Sequence, residues 1–393
     1  MSSHEPWEHY KGREQTAVKH YILREYLQVL ALKLGNFKKA GVTINYVDGF
    51  SGPWDEQAKD LSDTSPGIAL HELSEARRIL GERGVSIAVR CMFIEKEGDR
   101  FRRLADLEGR FPGVHITRLH GTFEAHIPEA VEFASGGGDD PFGFVFIDPT
   151  GWTGYGLRAI SPLLRVRRCE VLVNFMTEDI LRHIGWQGPA NQRTFADLFG
   201  SEGVLESWKG LGGVEREDKI VASYCDRLGA EGNYRHVARS IVPNPTSDRT
   251  RYHLIYATRS GKGLIAFREV ERKSLPKHDQ LRSAAKRDAR IANTGQQELL
   301  PAEALDKSDY LSDLCRHFRA LASAEARNDL MNNRTVPFDA IVDRALRWPF
   351  VSEVEVNQWI RDWRREHLLD VPGLSAKKMP HYGQSLHLQW TAG

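Results

Sequence analysis

Four short stretches carry residues suited to chemistry on a nucleoside-like ligand and an amine. In Asp148-Pro149-Thr150-Gly151-Trp152 an acid is followed by proline, with an aromatic residue close behind. Such a run builds a rigid lip. Its acid or a backbone carbonyl accepts hydrogen bonds from the exocyclic amine of a base, while an aromatic face stacks on the ring. Glu95 closes an apolar run, and the several lone pairs of a carboxylate suit a ribose 2′/3′ diol. Gly121-Thr122-Phe123 is placed to flank an adenine ring, with Thr122 offering a hydroxyl and Phe123 either stacking or filling core. In Thr43–Trp54 the β-formers Ile44, Tyr46 and Val47 are broken by Asp48-Gly49. Phe50-Ser51-Gly52-Pro53 then makes a tight loop whose glycine admits a ligand to the backbone. Plainer readings exist for each: a helix-capping acid at Glu95, or a strand-ending turn at Pro149-Thr150-Gly151 with Trp152 in the core.

The elements that must position these residues alternate. A helix over 15–34 precedes the strand 44–47, and Gly35-Asn36 is its stop signal. Ser65-Pro66 reads as an N-cap with proline at the first helical position. Strands over 87–94, 114–119, 142–147 and 170–175 alternate with helices over 98–107, 124–133 and 157–164, and Thr177 caps a further helix. This alternation predicts a doubly wound parallel sheet with Asp48, Glu95, Gly121, Asp148 and Asn174 along its carboxyl edge. Residues 185–235 read as a helical insertion over that edge, and 236–242 with 251–258 as a closing antiparallel hairpin.

A basic run over 268–290 is either a solvated helical linker or a contact for phosphate or a partner. Beyond it, a helix over 338–348, a capping box at Ser352–Glu355 and the alternation 385–390 resemble a winged helix-turn-helix, a module that docks on DNA or on protein. The predicted domains are 1–290, Rossmann-like with the insertion at 185–235, and 291–393, helical and winged-helix-like.

Composition narrows the remaining classes. The chain has 393 residues, 41% hydrophobic and 27% charged, with net charge +1, which fits a globular protein. The four cysteines are far apart, so neither a disulfide framework nor a zinc site is expected, and the reading is cytoplasmic. No apolar run approaches the ~20 residues of a membrane span. No metal is expected, since neither H-E-x-x-H nor a paired-cysteine spacing occurs. The absence of a P-loop and of G-x-S-x-G argues against an ATPase and a hydrolase.

Taken together, Y-V-D-G-F-S-G-P, S-P-G-I-A-L, F-I-E-K, F-V-F-I-D-P-T-G-W, E-V-L-V-N-F-M and Y-H-L-I-Y-A-T resemble the three-Cys-motif partner (TcmP) family. That family is similar to the class I S-adenosylmethionine-dependent methyltransferases. The resemblance implies a seven-stranded, Rossmann-like sheet, S-adenosyl-L-methionine as cofactor, and a three-Cys-motif protein as partner. It places Asp48, Phe50, Ser51 and Gly52 on the methionine-binding loop, Glu95 at the ribose, and Thr122 and Phe123 at the adenine. Asp148, Pro149 and Trp152 would line the catalytic mouth. Trp54 stands where that family's loop has a second glycine, and Thr150 where a second proline or an aromatic residue is usual. The expected activity is methylation of a nitrogen of a nucleobase or related amine. The alternative is a catalytically silent Rossmann-like scaffold whose winged-helix tail binds DNA or its three-Cys-motif partner.

Overall fold

Seven runs rich in Val, Ile, Phe and Tyr assemble into one sheet: Val42–Asp48 (β1), Ile87–Glu95 (β2), Val114–His120 (β3), Asp140–Ile147 (β4), Cys169–Phe175 (β5), His236–Pro243 (β6) and Thr250–Thr258 (β7). Their order is β3-β2-β1-β4-β5-β7-β6. β1 pairs in parallel with β2 and β4, β2 with β3, and β4 with β5, whereas β7 runs antiparallel to β5. This is the doubly wound sheet that the alternation predicts, in the seven-stranded, Rossmann-like class I methyltransferase arrangement that the resemblance implies. β1 and β5 are buried along their whole length, the polar Thr43, Asn45, Glu170 and Asn174 included. The strand order reverses at β1, and the edge of the sheet where Asp48, Glu95 and Asp148 emerge is the one at which sheets of this kind take ligands.

This computed structural model describes residues 10–38, 41–52, 61–186, 188–295, 309–375 and 377–391. Pro53 and Trp54 therefore lie outside the described residues. Two compact units are present, Met1–Val237 with Ile241–Arg259, and Ala238–Ser240 with Ser260–Gly393. Among the described residues no helix is long and apolar enough to cross a membrane.

Three local expectations are corrected in the first unit. The first helix, α1 (Glu14–Lys38), runs through Gly35-Asn36. Gly35 is a contact and not a stop: a Cβ there would overlap Leu80 of α2 (Ser65–Glu82), so its absence lets the two helices approach. The N-cap of α2 is Thr64, whose hydroxyl accepts from Gly67 N at 3.2 Å, which frees Ser65 for another partner. Thr177 is the first residue of the helix after β5 and not its cap; its hydroxyl donates to Phe175 O at 3.1 Å and lies 2.7 Å from His253 Nδ1. Between β5 and β6 the chain is helical, with α6 (Thr177–His183), α7 (Pro189–Phe199) and α8 (Gly213–Gly232). The turn from β6 to β7 is held by Asn244, whose Oδ1 accepts from Thr246 N (3.0 Å) and Ser247 N (3.1 Å).

The second unit contains the helix α9 (Gly261–Thr294), then α10 (Asp309–Asn333), β8 (Thr335–Pro337), α11 (Phe338–Ala345), α12 (Glu353–Arg365), β9 (Leu369–Asp370) and β10 (His387–Trp390). The three short strands form a sheet in the order β8-β10-β9, paired antiparallel. The expected capping box opens α12: Ser352 N donates to Glu355 Oε2 at 2.8 Å. Part of the basic run is internal. Arg268 is fully buried, donating to Leu346 O (2.8 Å), Arg239 O (3.0 Å), Arg347 O (3.1 Å) and Glu271 Oε2 (2.6 Å). Glu271 Oε2 also accepts from Phe350 N at 3.1 Å.

A buried ion pair that anchors this many backbone groups is costly to break from one side. Arg268→Met should destabilise the second unit by about 3–5 kcal/mol in urea unfolding, and the paired change Arg268→Met with Glu271→Leu by clearly less. A single variant within about 1 kcal/mol of the natural protein would show that the pair does not organise this unit.

Candidate functional site

Every chemically suggestive strand end reaches the carboxyl edge of the sheet, but each is used differently. Asp48, ending β1, is fully buried. Its Oδ1 accepts from Phe50 N (3.1 Å), and its Oδ2 accepts from Ser65 Oγ (2.6 Å) and Tyr46 Oη (3.4 Å). Burial pushes this carboxyl up to about 7; the hydrogen bonds from Ser65 and Phe50 oppose the rise, and the nearby Asp148 charge adds to it. Asp48 thus shapes the loop from inside. Ser51 ties the same loop to β2: its N donates to Ile94 O (3.0 Å), and its Oγ donates to Asp48 O (2.8 Å) and accepts from Ile94 N (3.0 Å).

Glu95, ending β2, accepts from Glu97 N through Oε1 at 2.6 Å, and its backbone carbonyl accepts from Gly121 N at 3.0 Å. The other carboxylate oxygen lies directly against Gly52, where any Cβ would overlap it. Glycine at 52 is therefore required for the carboxylate to lie over the loop. Thr122 is exposed, with Oγ1 accepting from Ala125 N at 3.3 Å. Phe123 is 2% exposed and belongs to the core with Val47, Ile94 and Ile127, while the half-buried Phe50 ring sits 5.6 Å from it.

At the end of β4, Asp148 is engaged on both oxygens. Lys19 Nζ of α1 donates to Oδ2 at 2.5 Å, and Asn174 Nδ2 of β5 donates to Oδ1 at 2.7 Å. The Lys19 and Asp148 side chains are 9% and 12% exposed. Tyr252 of β7 lies beside them, its ring 6.0 Å from Lys19 Nζ and its hydroxyl donating to Gln15 O. Asn174 Oδ1 is buried without a hydrogen-bond partner among the described residues. Pro149 is buried, and the half-buried Trp152 packs 4.7 Å from Phe195 and 5.2 Å from His183, whose ring is 4.3 Å from that of the exposed Trp186. Among the described residues no group of three His, Cys, Asp or Glu side chains could hold a metal ion.

The structure brings Asp48, Phe50, Ser51, Gly52 and Glu95 together at the ends of β1 and β2, and Asp148 with Pro149 and Trp152 at the end of β4. Reasoning from sequence missed Lys19, Ser65 and Tyr252 as members of this edge. Only Lys19 left a signal: it lies two turns before Tyr26, a charge on the face of α1 that otherwise buries Ile22, Leu23 and Leu30. Strand ends two spacings apart, about 10 Å, separate Glu95 from Asp148. The groups on this edge that could serve a diol and its base are the Glu95 carboxylate, 5% exposed over the glycine loop, and the exposed Thr122 hydroxyl on the neighbouring strand end.

No family model matches the chain, and no curated protein matches it. Solved structures that are distantly similar include a protein from Legionella pneumophila str. Philadelphia 1, with 10% identity over 61% of this chain and 84% of that one and a TM-score of 0.35. Another is loganic acid methyltransferase with SAH, with 9% identity over 78% of this chain and 94% of that one and a TM-score of 0.31. The fold assignment rests on the strand order and pairing of the sheet itself.

The raised Asp48 carboxyl makes stability pH-dependent. Its contribution is fully present below about pH 4, where the unfolded chain is also protonated, and is lost as pH rises toward 7. Asp48→Asn keeps the shape and does not titrate. The melting temperature of the variant should therefore gain on that of the natural protein between pH 4 and 7, by an amount corresponding to about 1 kcal/mol per pH unit, and hold that gain above. Parallel melting curves across this range would place the Asp48 carboxyl at its ordinary pKa.

Proposed function

We propose that the chain is an S-adenosyl-L-methionine-dependent methyltransferase that acts on a nitrogen of a nucleobase or related amine, in nucleic acid or free. The observation that carries this reading is the Glu95 carboxylate lying over Gly52, two strand ends from Asp148 on the edge where this fold takes ligands. In this reading Glu95 accepts the ribose hydroxyls, the Phe50-Ser51-Gly52 backbone holds the methionine arm, and Thr122 borders the adenine. The cofactor supplies an electrophilic sulfonium methyl. Asp148 and the buried Pro149 orient the acceptor amine, and Trp152 flanks its ring. Because Lys19 and Asn174 already donate to the Asp148 carboxylate, the amine is oriented by a remaining lone pair or by the backbone carbonyl of Asp148.

The Lys19–Asp148 pair also favours a second reading, a catalytically silent scaffold of the three-Cys-motif partner kind, since a carboxylate tied to an internal lysine serves structure equally well. Under either reading the second unit, with helices α10 to α12 and a three-stranded sheet, acts as a winged-helix-like module for DNA or the partner protein. The exposed part of the basic helix, Lys273 included, contributes to that contact.

Calorimetric titration with S-adenosylhomocysteine separates the readings. Binding is expected, with Glu95→Ala weakening it by about 1–3 kcal/mol, the range for hydrogen bonds to a charged group. No heat at millimolar ligand would hand the assignment to the scaffold reading. For catalysis, Asp148→Asn should leave cofactor affinity nearly unchanged and lower methyl transfer by about 10²-fold or more. Transfer of labelled methyl into pooled DNA, RNA and small amines measures this, and equal rates would remove Asp148 from the reaction.

A further inference from the structure

Away from the strand ends, a cavity of about 350 Å³ opens between α5 (Leu157–Leu164), the end of α7 and the last turns of α8. It shares no residue with the site proposed above. Its volume is within the range of small-molecule sites. Leu157 and Phe199 give it an apolar base, and Arg158, Arg227, Ser161 and Glu231 give it polar walls. The single acid in these walls is already neutralised: Glu231 Oε1 accepts from Arg165 Nη2 at 2.5 Å and from Ser161 Oγ. Arg158 and Arg227 form no ion pair with an acid among the described residues. The concavity therefore carries two uncompensated guanidinium groups from two different helices, above a base with no charge of its own.

A guanidinium left without a carboxylate in a concave wall is the donor arrangement that recognises phosphate, because its planar N–H groups match the oxygens of the anion. We propose that this cavity binds a small organic phosphate, with the phosphate between Arg158 and Arg227 and the organic part against Leu157 and Phe199. A double negative charge matches the two positive ones. A lone carboxylate leaves one arginine uncompensated, and an uncharged ligand leaves both.

Titration calorimetry of the full chain with inorganic phosphate and with phenyl phosphate, at matched ionic strength, tests this. Saturable binding of both is expected, tighter for the phenyl ester, weakened at least tenfold by Arg158→Gln or by Arg227→Gln, and weakened by added salt. Both arginines lie outside the core, so the variants should keep the melting temperature of the natural protein, and Arg193→Gln on the exposed side of α7 should bind as that protein does. Absence of heat with either phosphate, binding that survives both arginine changes, or equal binding of acetate would each overturn the proposal. S-adenosylhomocysteine binding measured in the same variants should be unchanged, so this site stands or fails independently of the methyltransferase reading.

Discussion

Two buried polar contacts fix α1 across the sheet, and the geometry of the candidate site depends on them. Tyr26 Oη donates to Glu170 Oε2 at 2.6 Å, and two helical turns earlier Lys19 Nζ meets Asp148 at 2.5 Å. Glu170 lies inside the sheet on β5, where burial raises its carboxyl pKa; Tyr26 and Thr258, the latter at 2.7 Å, hold it by hydrogen bonds. A carboxylate removed from water costs several kcal/mol unless its partners are in place. Sliding α1 by one turn would strip both acids at once, so the helix has one register. That register, in turn, decides which residue faces the end of β4.

The carboxyl edge is consequently more tightly bonded than an open crevice of glycines and acids. Asp48 is enclosed by Ser65, Tyr46 and the backbone of Phe50, and acts on the loop without facing solvent. Ser51 is spent on β2. In the proposed reading a ligand meets the Gly52 backbone with the Glu95 carboxylate above it, the hydroxyl of Thr122, and the lip from Asp148 to Trp152. The electrostatics of this edge are set by Asp48, Asp148 and Lys19: burial raises the carboxyl of the first, and the second is ion-paired with the ammonium of the third.

The second unit solves a similar problem by different means. Arg268, a residue that sequence places in a basic surface run, is its most deeply buried cation, and it gathers backbone carbonyls at Leu346, Arg347 and Arg239. A guanidinium has five donors in a fixed fork, and here four of its contacts end on internal acceptors. The charge of the run is thereby divided between packing and surface.

Alternation of apolar strands with helices was enough to determine the doubly wound sheet, its closing antiparallel strand and the edge where Asp48, Glu95 and Asp148 emerge. These follow from local period and connection length, which are written along the chain. The capping box at Ser352 was equally legible, because both partners lie within four residues. Tertiary structure alone decided which polar groups are consumed by internal partners and which are left. Ser65 reads as a cap and instead bonds Asp48; Gly35 reads as a stop and instead receives Leu80. Lys19 reads as one more charge on a helix, and it neutralises an acid 129 residues away. Pairings at that separation leave no period in the sequence. They are set by how helices lie on the sheet, and by the cost of leaving a buried charge without a partner.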